Sequence, residues 1–208
     1  DWEWKMECHR RVMLRELILI AANTGIRLPK EITSLTWGDV KVVKEMSKGR
    51  YSNSKNIEEL VSIINIGSKQ KTGMRVVTGV AGTYFKRLKD YYRETFDYEP
   101  QDKDLVFMEM FGRRKGKVFE RHALYRLWGE LIEACNLKRL TFTPYNLRAF
   151  YITQSILNGI DLLLISKNCG NSLQVIADHY EFIQMEAQTK QLIKRRNIKE
   201  EESNVVTI

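Results

Sequence analysis

The chain has 208 residues, 43% of them hydrophobic and 29% charged, with three prolines. That is the composition of a folded domain with one good-sized core, not of a disordered segment. Thirty-four basic against 26 acidic residues leave a net charge of +8, which fits a polyanionic partner such as nucleic acid as readily as plain solubility.

No apolar run approaches the roughly 18 residues a membrane span needs. Cys8, Cys135 and Cys169 are odd in number and widely spaced, which argues for reduced, intracellular thiols and against a structural zinc. The chain opens "DWEWKMECHRR" with neither Met nor a signal-peptide pattern, so it reads as a piece of a longer protein.

Residues 10–23, "RRVMLRELILIAAN", carry apolar residues at helical spacing, and "NTG" stops that helix. A second helix is expected over "KEITSLT", a strand over "WGDVKVVKEM" and an exposed loop over "SKGRYSNSKN". "LVSIINIG" and "MRVVTGV" are β-rich and joined by "SKQKTG", which predicts a hairpin. Helical patterns return at "AGTYFKRLKDYYRETF" and "ERHALYRLWGELIEACNL", separated by the apolar run "LVFMEM" and the basic loop "GRRKGK".

The last third is helix after helix. "NLRAFYITQSILNG" ends in Asn-Gly, Asp161 caps "LLLISKNCG", which stops at Gly170, and Ser172 caps a following helix. On that helix Leu173, Ile176, Ala177 and Tyr180 share one face, so periodicity alone makes Tyr180 a packing residue. The expected fold is mainly α with a small antiparallel three-stranded β-sheet, in a single domain over residues 1–208.

No hydrolase elbow, phosphate-binding loop, HExxH or dinucleotide fingerprint is present. What remains is a set of basic residues in suggestive settings. Arg27 follows a glycine-bearing helix end in "TGIRLPKE", Lys71 sits in the hairpin turn, and Arg148 lies beside a helix N-terminus, where anions are favoured. Each taken alone reads as a surface charge.

Taken in order, "TGIR", "LTWGD", "KTG" in a hairpin, "YNLR", and "GN" with a tyrosine nine residues on from the Asn resemble the catalytic domain of the tyrosine recombinases, the phage integrase family. Arg148, Asn171 and Tyr180 keep the family's intervals, and the resemblance covers nearly the whole chain. It implies that Tyr180 attacks a DNA phosphodiester to form a 3′-phosphotyrosyl bond, with no cofactor or metal. Arg27 and Arg148 would clamp the phosphate, and Lys71, with Lys69 and Lys55 as alternatives, would protonate the departing 5′ oxygen. Glu31 would support Arg27, although "RLPKE" has one residue more than the family's R-x-x-E spacing; Pro29 sits in that extra turn and restarts the helix at Lys30.

Two positions depart from the family. Tyr145 and Asn171 stand where it carries histidine, or histidine or tryptophan. Both donate hydrogen bonds, but neither accepts a proton well near neutral pH, a loss of about 10² to 10⁴ where general-base help matters. His9 and His122 match no family position, and His179 is expected to point about 100° away from Tyr180 on a helix.

The resemblance further implies double-stranded DNA as partner, a homotetramer on paired DNA sites, a missing N-terminal core-binding domain, and a tail over residues 181–208 that docks on a neighbouring subunit. The expected setting is the cytoplasm of a bacterial host, on DNA, in the service of a phage or other mobile element. The competing readings are a catalytically weak or inactive DNA-binding protein on the same fold and an enzyme of type IB topoisomerase character.

Overall fold

In the computed structural model the chain is described over residues 1–47, 57–67, 74–137 and 141–178. The first helix, α1, runs from Trp2 to Thr24 and so begins well before residue 10. The Asp1 carboxylate caps it by accepting from the Glu3 N–H at 3.1 Å. Its first turns escape an amphipathic pattern because Trp2 and Trp4 are exposed. Further along, His9, Met13, Leu17, Ile20, Ala21 and Thr24 line one buried stripe.

The second helix, α2, is a single turn over Lys30–Thr33, shorter than "KEITSLT" predicts. It does begin at Lys30. "WGD" is a 3₁₀ turn (Trp37–Asp39) rather than the start of a strand. Asp39 Oδ2 there accepts from the Thr36 N–H at 2.9 Å and from its hydroxyl at 2.7 Å, a local closure that outcompetes the extended ladder.

Strands β1 (Val40–Ser47), β2 (Ile57–Ile66) and β3 (Arg75–Gly79) form an antiparallel sheet in the order β1-β2-β3. The predicted hairpin pairs Ile64 with Val77 and Ile66 with Arg75. Its turn, which includes Lys69 and Lys71, lies outside the described residues, as does Lys55. Ser62, Ile64, Ile66 and Val77 are buried on one face, the period-2 pattern of a half-covered sheet.

Helix α3 (Gly82–Phe96) covers β2 and β1, and α1 packs against α3, β3 and α4 (Arg121–Ala134). "LVFMEM" forms no strand but threads the core: Val106 and Phe107 are fully buried, and the Val106 N–H donates to the Leu35 carbonyl at 2.9 Å. Helices α5 (Asn146–Leu157) and α6 (Leu162–Cys169) follow. Asp161 caps α6 through the Leu163 and Leu164 N–H groups, and Gly170 ends it in the left-handed region at φ 66°.

Residues 173–178 are helical after Ser172, whose hydroxyl accepts from the Val175 N–H at 3.2 Å. The chain divides into two compact units, Asp1–Tyr151 and the residues from Ile152 onward. The first holds the sheet and the main core. The second has its own buried residues in Ile152, Ile156, Ile165, Cys169 and Ile176. Mainly α with a three-stranded antiparallel sheet is therefore the observed class.

Candidate active site

The segment "TGIR" is built as a helix exit. The Thr24 hydroxyl donates back to the Ile20 carbonyl at 2.7 Å and accepts weakly from the Ile26 N–H at 3.4 Å. Gly25 takes φ 66°, and its N–H closes the helix on the Ala21 carbonyl at 2.9 Å. Left-handed backbone there favours glycine. Ile26 is fully buried, which fixes where the chain leaves the helix and hence where Arg27 emerges.

Arg27 is then held by Glu31. The Glu31 carboxylate accepts from the Arg27 backbone N–H at 2.9 Å and more loosely, at 3.4 Å, from its Nη1. The added residue between them does not keep Glu31 from reaching Arg27. One turn of α2 brings the carboxylate back over the chain.

The sequence did not single out Arg75, which makes the tighter contact. From the first position of β3 it forks onto the same carboxylate, Nη1 to Oε1 at 2.8 Å and Nη2 to Oε2 at 2.6 Å. Both side chains are nearly inaccessible, 8% for Arg75 and 1% for Glu31. Burial by itself pushes the Glu31 carboxyl upward, but Arg75 and the Arg27 N–H together outweigh it and hold the group below the usual carboxylate range. A signal was there to be read: Arg75 is in phase with buried Val77 on the inner face of its strand, where an arginine needs an acid.

Arg148 is 2% exposed, on the first turn of α5. Its Nη1 donates to the Gly25 carbonyl at 2.5 Å, across 123 residues of sequence. Gly25 lies two residues before Arg27, so Arg148 is anchored at the helix end from which the other predicted clamp arginine emerges, within about 8 Å of chain. The carbonyl is a neutral acceptor: this bond directs the guanidinium without cancelling charge.

The approach to α5 is fixed by local bonds. Asn146 Oδ1 accepts from the Thr143 N–H at 2.7 Å and from its hydroxyl at 2.9 Å, and the Trp128 indole donates to the Phe142 carbonyl at 2.8 Å. Tyr145 sits in the resulting turn, half exposed, and its carbonyl accepts from the Arg148 N–H at 3.1 Å.

Asn171 belongs to the second unit, just past Gly170, where its carbonyl accepts from the Ser166 hydroxyl at 2.8 Å. Tyr180 and His179 lie outside the described residues. His122 is exposed on α4. His9 is buried among Tyr91, Tyr92, Phe96 and Phe111, with Nε2 2.9 Å from the Met108 carbonyl, a core role rather than a site one.

An apolar groove lined by Leu14, Ile18, Leu127 and Leu131 contains none of the candidate residues. Among the described residues no group of three or more His, Cys, Asp or Glu side chains could hold a metal ion. Nor is any helix among them long and apolar enough to cross a membrane.

No protein-family model matches the chain, and no curated protein matches it at a significant level. Solved structures do. The site-specific recombinase XerH bound to palindromic difH substrate, a post-cleavage complex, is similar with a TM-score of 0.61 at 23% identity, over 90% of this chain and 47% of that one. The Tn1549 transposon integrase in complex with transposon right end DNA follows at 0.55 and 17%, covering 87% and 59%. The XerA recombinase is similar at 0.53 and 18%, covering 90% and 62%. The chain spans less than half the length of XerH. All three are tyrosine recombinases, and likeness at these identities is a likeness of fold: the chain has the fold of the tyrosine-recombinase catalytic domain.

Proposed function

We propose that this protein is a site-specific DNA recombinase that cuts and rejoins strands through Tyr180, acting for a phage or other mobile element. The observation that carries the proposal is the anchoring of Arg148 on the Gly25 carbonyl, at the helix end from which Arg27 emerges. Phosphoryl transfer spreads negative charge over the non-bridging oxygens, and preorganised cations are the largest source of stabilisation for it. Two planar guanidinium forks, charged at any working pH, supply that.

The Tyr180 oxygen attacks phosphorus, the bond from phosphorus to the 5′ oxygen breaks, and Lys71 gives that oxygen its proton. Tyr180 gives up its own proton as it attacks, and with Tyr145 and Asn171 in the imidazole positions that proton passes to solvent. The phosphotyrosyl ester keeps the phosphoester bond, so a second strand's hydroxyl reverses the step without ATP or metal. Double-stranded DNA is the partner, and strand exchange requires a tetramer on paired sites. The DNA-bound state of XerH and of the Tn1549 integrase supports the choice of partner.

The test uses nicked duplexes of randomised sequence, in which the short 5′-hydroxyl fragment diffuses away after cleavage and traps the intermediate. A denaturant-resistant protein–DNA adduct, enriched for particular sequences and lost in Tyr180→Phe, is expected. No adduct, or one that survives the substitution, removes Tyr180 from the chemistry and leaves a DNA-binding protein on this fold. Adducts with no sequence preference, together with relaxation of supercoiled plasmid, would mark a topoisomerase instead.

A further inference from the structure

We infer that Arg75 is a positioning residue for strand cleavage, acting through Glu31 to hold Arg27 at the scissile phosphate. The inference rests on the phosphate-clamping role proposed for Arg27. Glu31 receives four hydrogen bonds, two from each arginine. The two from Arg75, at 2.6 and 2.8 Å, are the shortest, and the one from the Arg27 guanidinium, at 3.4 Å, is the longest. Arg75 thus anchors the carboxylate, while Glu31 meets Arg27 most closely at its backbone N–H. The long bond from Glu31 to the Arg27 guanidinium suits a group that has to reach a phosphate oxygen, since tight pairing with Glu31 would compete with the substrate.

The anchor has to be an arginine. Its fork meets both carboxylate oxygens at once and so fixes the carboxylate's rotation as well as its charge; an ammonium fixes only the charge. Arg75 stands on the inner face of β3, with Val77 and Gly79, and the sheet register pairs it with buried Ile66. The site therefore takes its reference from the sheet rather than from the single-turn helix that carries Glu31. In sequence Arg75 also follows Lys71, the proposed proton donor, by four residues.

The experiment measures single-turnover cleavage of the nicked duplex recovered with the unaltered protein, with DNA affinity from fluorescence anisotropy and folding from thermal melting. Arg75→Gln is expected to slow adduct formation about 10- to 100-fold, the scale of a clamp misplaced by roughly an ångström, with affinity unchanged. Arg75→Lys, which keeps the charge and loses the fork, falls between. In an Arg27→Ala background the Arg75→Gln change costs nothing further, because its effect passes through Arg27; a merely structural residue would multiply the losses.

The acidic limb of the rate profile also moves to higher pH in Arg75→Gln, since burial of Glu31 is then less opposed. Folded Arg75 variants that cleave at the unaltered rate overturn the inference and leave the recombinase reading standing, as does a full multiplicative loss in the double variant. Should Arg75→Gln fail to fold, an Arg75→Lys variant with unaltered rate and pH profile overturns it alone. Absence of any adduct with the unaltered protein overturns both readings together.

Discussion

Replacing Glu31 by Gln removes one negative charge from a nearly inaccessible site and keeps the side chain's volume. Arg75, 8% exposed, loses a bidentate partner with bonds of 2.6 and 2.8 Å, and the new amide NH₂ presents a donor to one of the two arginines. Breaking a buried ion pair by removing one member costs about 3–5 kcal/mol. Gln retains one acceptor oxygen, so the lower end, about 3 kcal/mol, is expected. For a chain of this size each kcal/mol lowers the melting temperature by roughly 2–4 °C, which gives a drop of about 6–12 °C at neutral pH.

The pH dependence supplies a second check. The folded-state pKa of Glu31 lies below its unfolded value, so its contribution is complete above about pH 4.3 and is lost as pH falls through the folded pKa. The gap between the two proteins should therefore close in acid, because the other carboxylates are common to both. Thermal melts followed by far-UV circular dichroism at neutral pH and at about pH 3 measure both effects. A neutral-pH gap under about 2 °C, or one that acid leaves unchanged, would show that the Arg75–Glu31–Arg27 cluster does not stabilise the fold as argued.

Gly79→Ala should destabilise by at least about 1–3 kcal/mol. The added methyl would overlap the Asn23 carbonyl oxygen and lie 3.0 Å from the Thr24 methyl, and the overlapped atom is backbone, not the end of a flexible side chain. Urea denaturation measures it, and an unchanged midpoint refutes the close approach of β3 to the end of α1. His9→Gln should flatten the fall in stability below about pH 6.5, the usual imidazole pKa. Burial holds the folded-state pKa of His9 below that value, so between the two only the unfolded chain takes up the proton, and the folded state loses ground as pH falls. Urea midpoints at pH values either side of this range check it; parallel slopes for the two proteins rule out His9 as the cause.

Periodicity and turn chemistry made much of the fold legible before any coordinates. The hairpin of β2 and β3, the Asp161 and Ser172 caps and the Gly170 stop are local signals, written in residues that touch within a turn. The early start of α1 was not legible, because exposed Trp2 and Trp4 break the amphipathic pattern while Asp1 supplies the cap. Arg75 was missed for a different reason. It meets Glu31 across 44 residues, and nothing in "MRVVTG" names the partner. Only its phase with Val77 marks it as an arginine facing inward. Buried His9 was equally opaque, since its aromatic neighbours come mostly from α3, far along the chain.

What "TGIR" specifies can now be given letter by letter in physical terms. Thr24 turns its hydroxyl back to Ile20 and forward to Ile26, which stabilises the last turn of α1. Gly25, with positive φ, ends the helix through its N–H and offers its carbonyl to Arg148. Ile26 is buried and pins the exit direction, so Arg27 leaves at a fixed place, where Glu31 and through it Arg75 meet the chain. Gly79 lets β3 come against Asn23 just before this exit. Four elements, α1, α2, β3 and α5, thus converge on one helix terminus by bonds that also stabilise the fold. The proposed guanidinium clamp would sit on a junction held by these bonds before any substrate arrives, and rigidity is what electrostatic preorganisation needs. In the proposed reaction, with Tyr145 and Asn171 at the imidazole positions, that rigidity is the resource left to this chain.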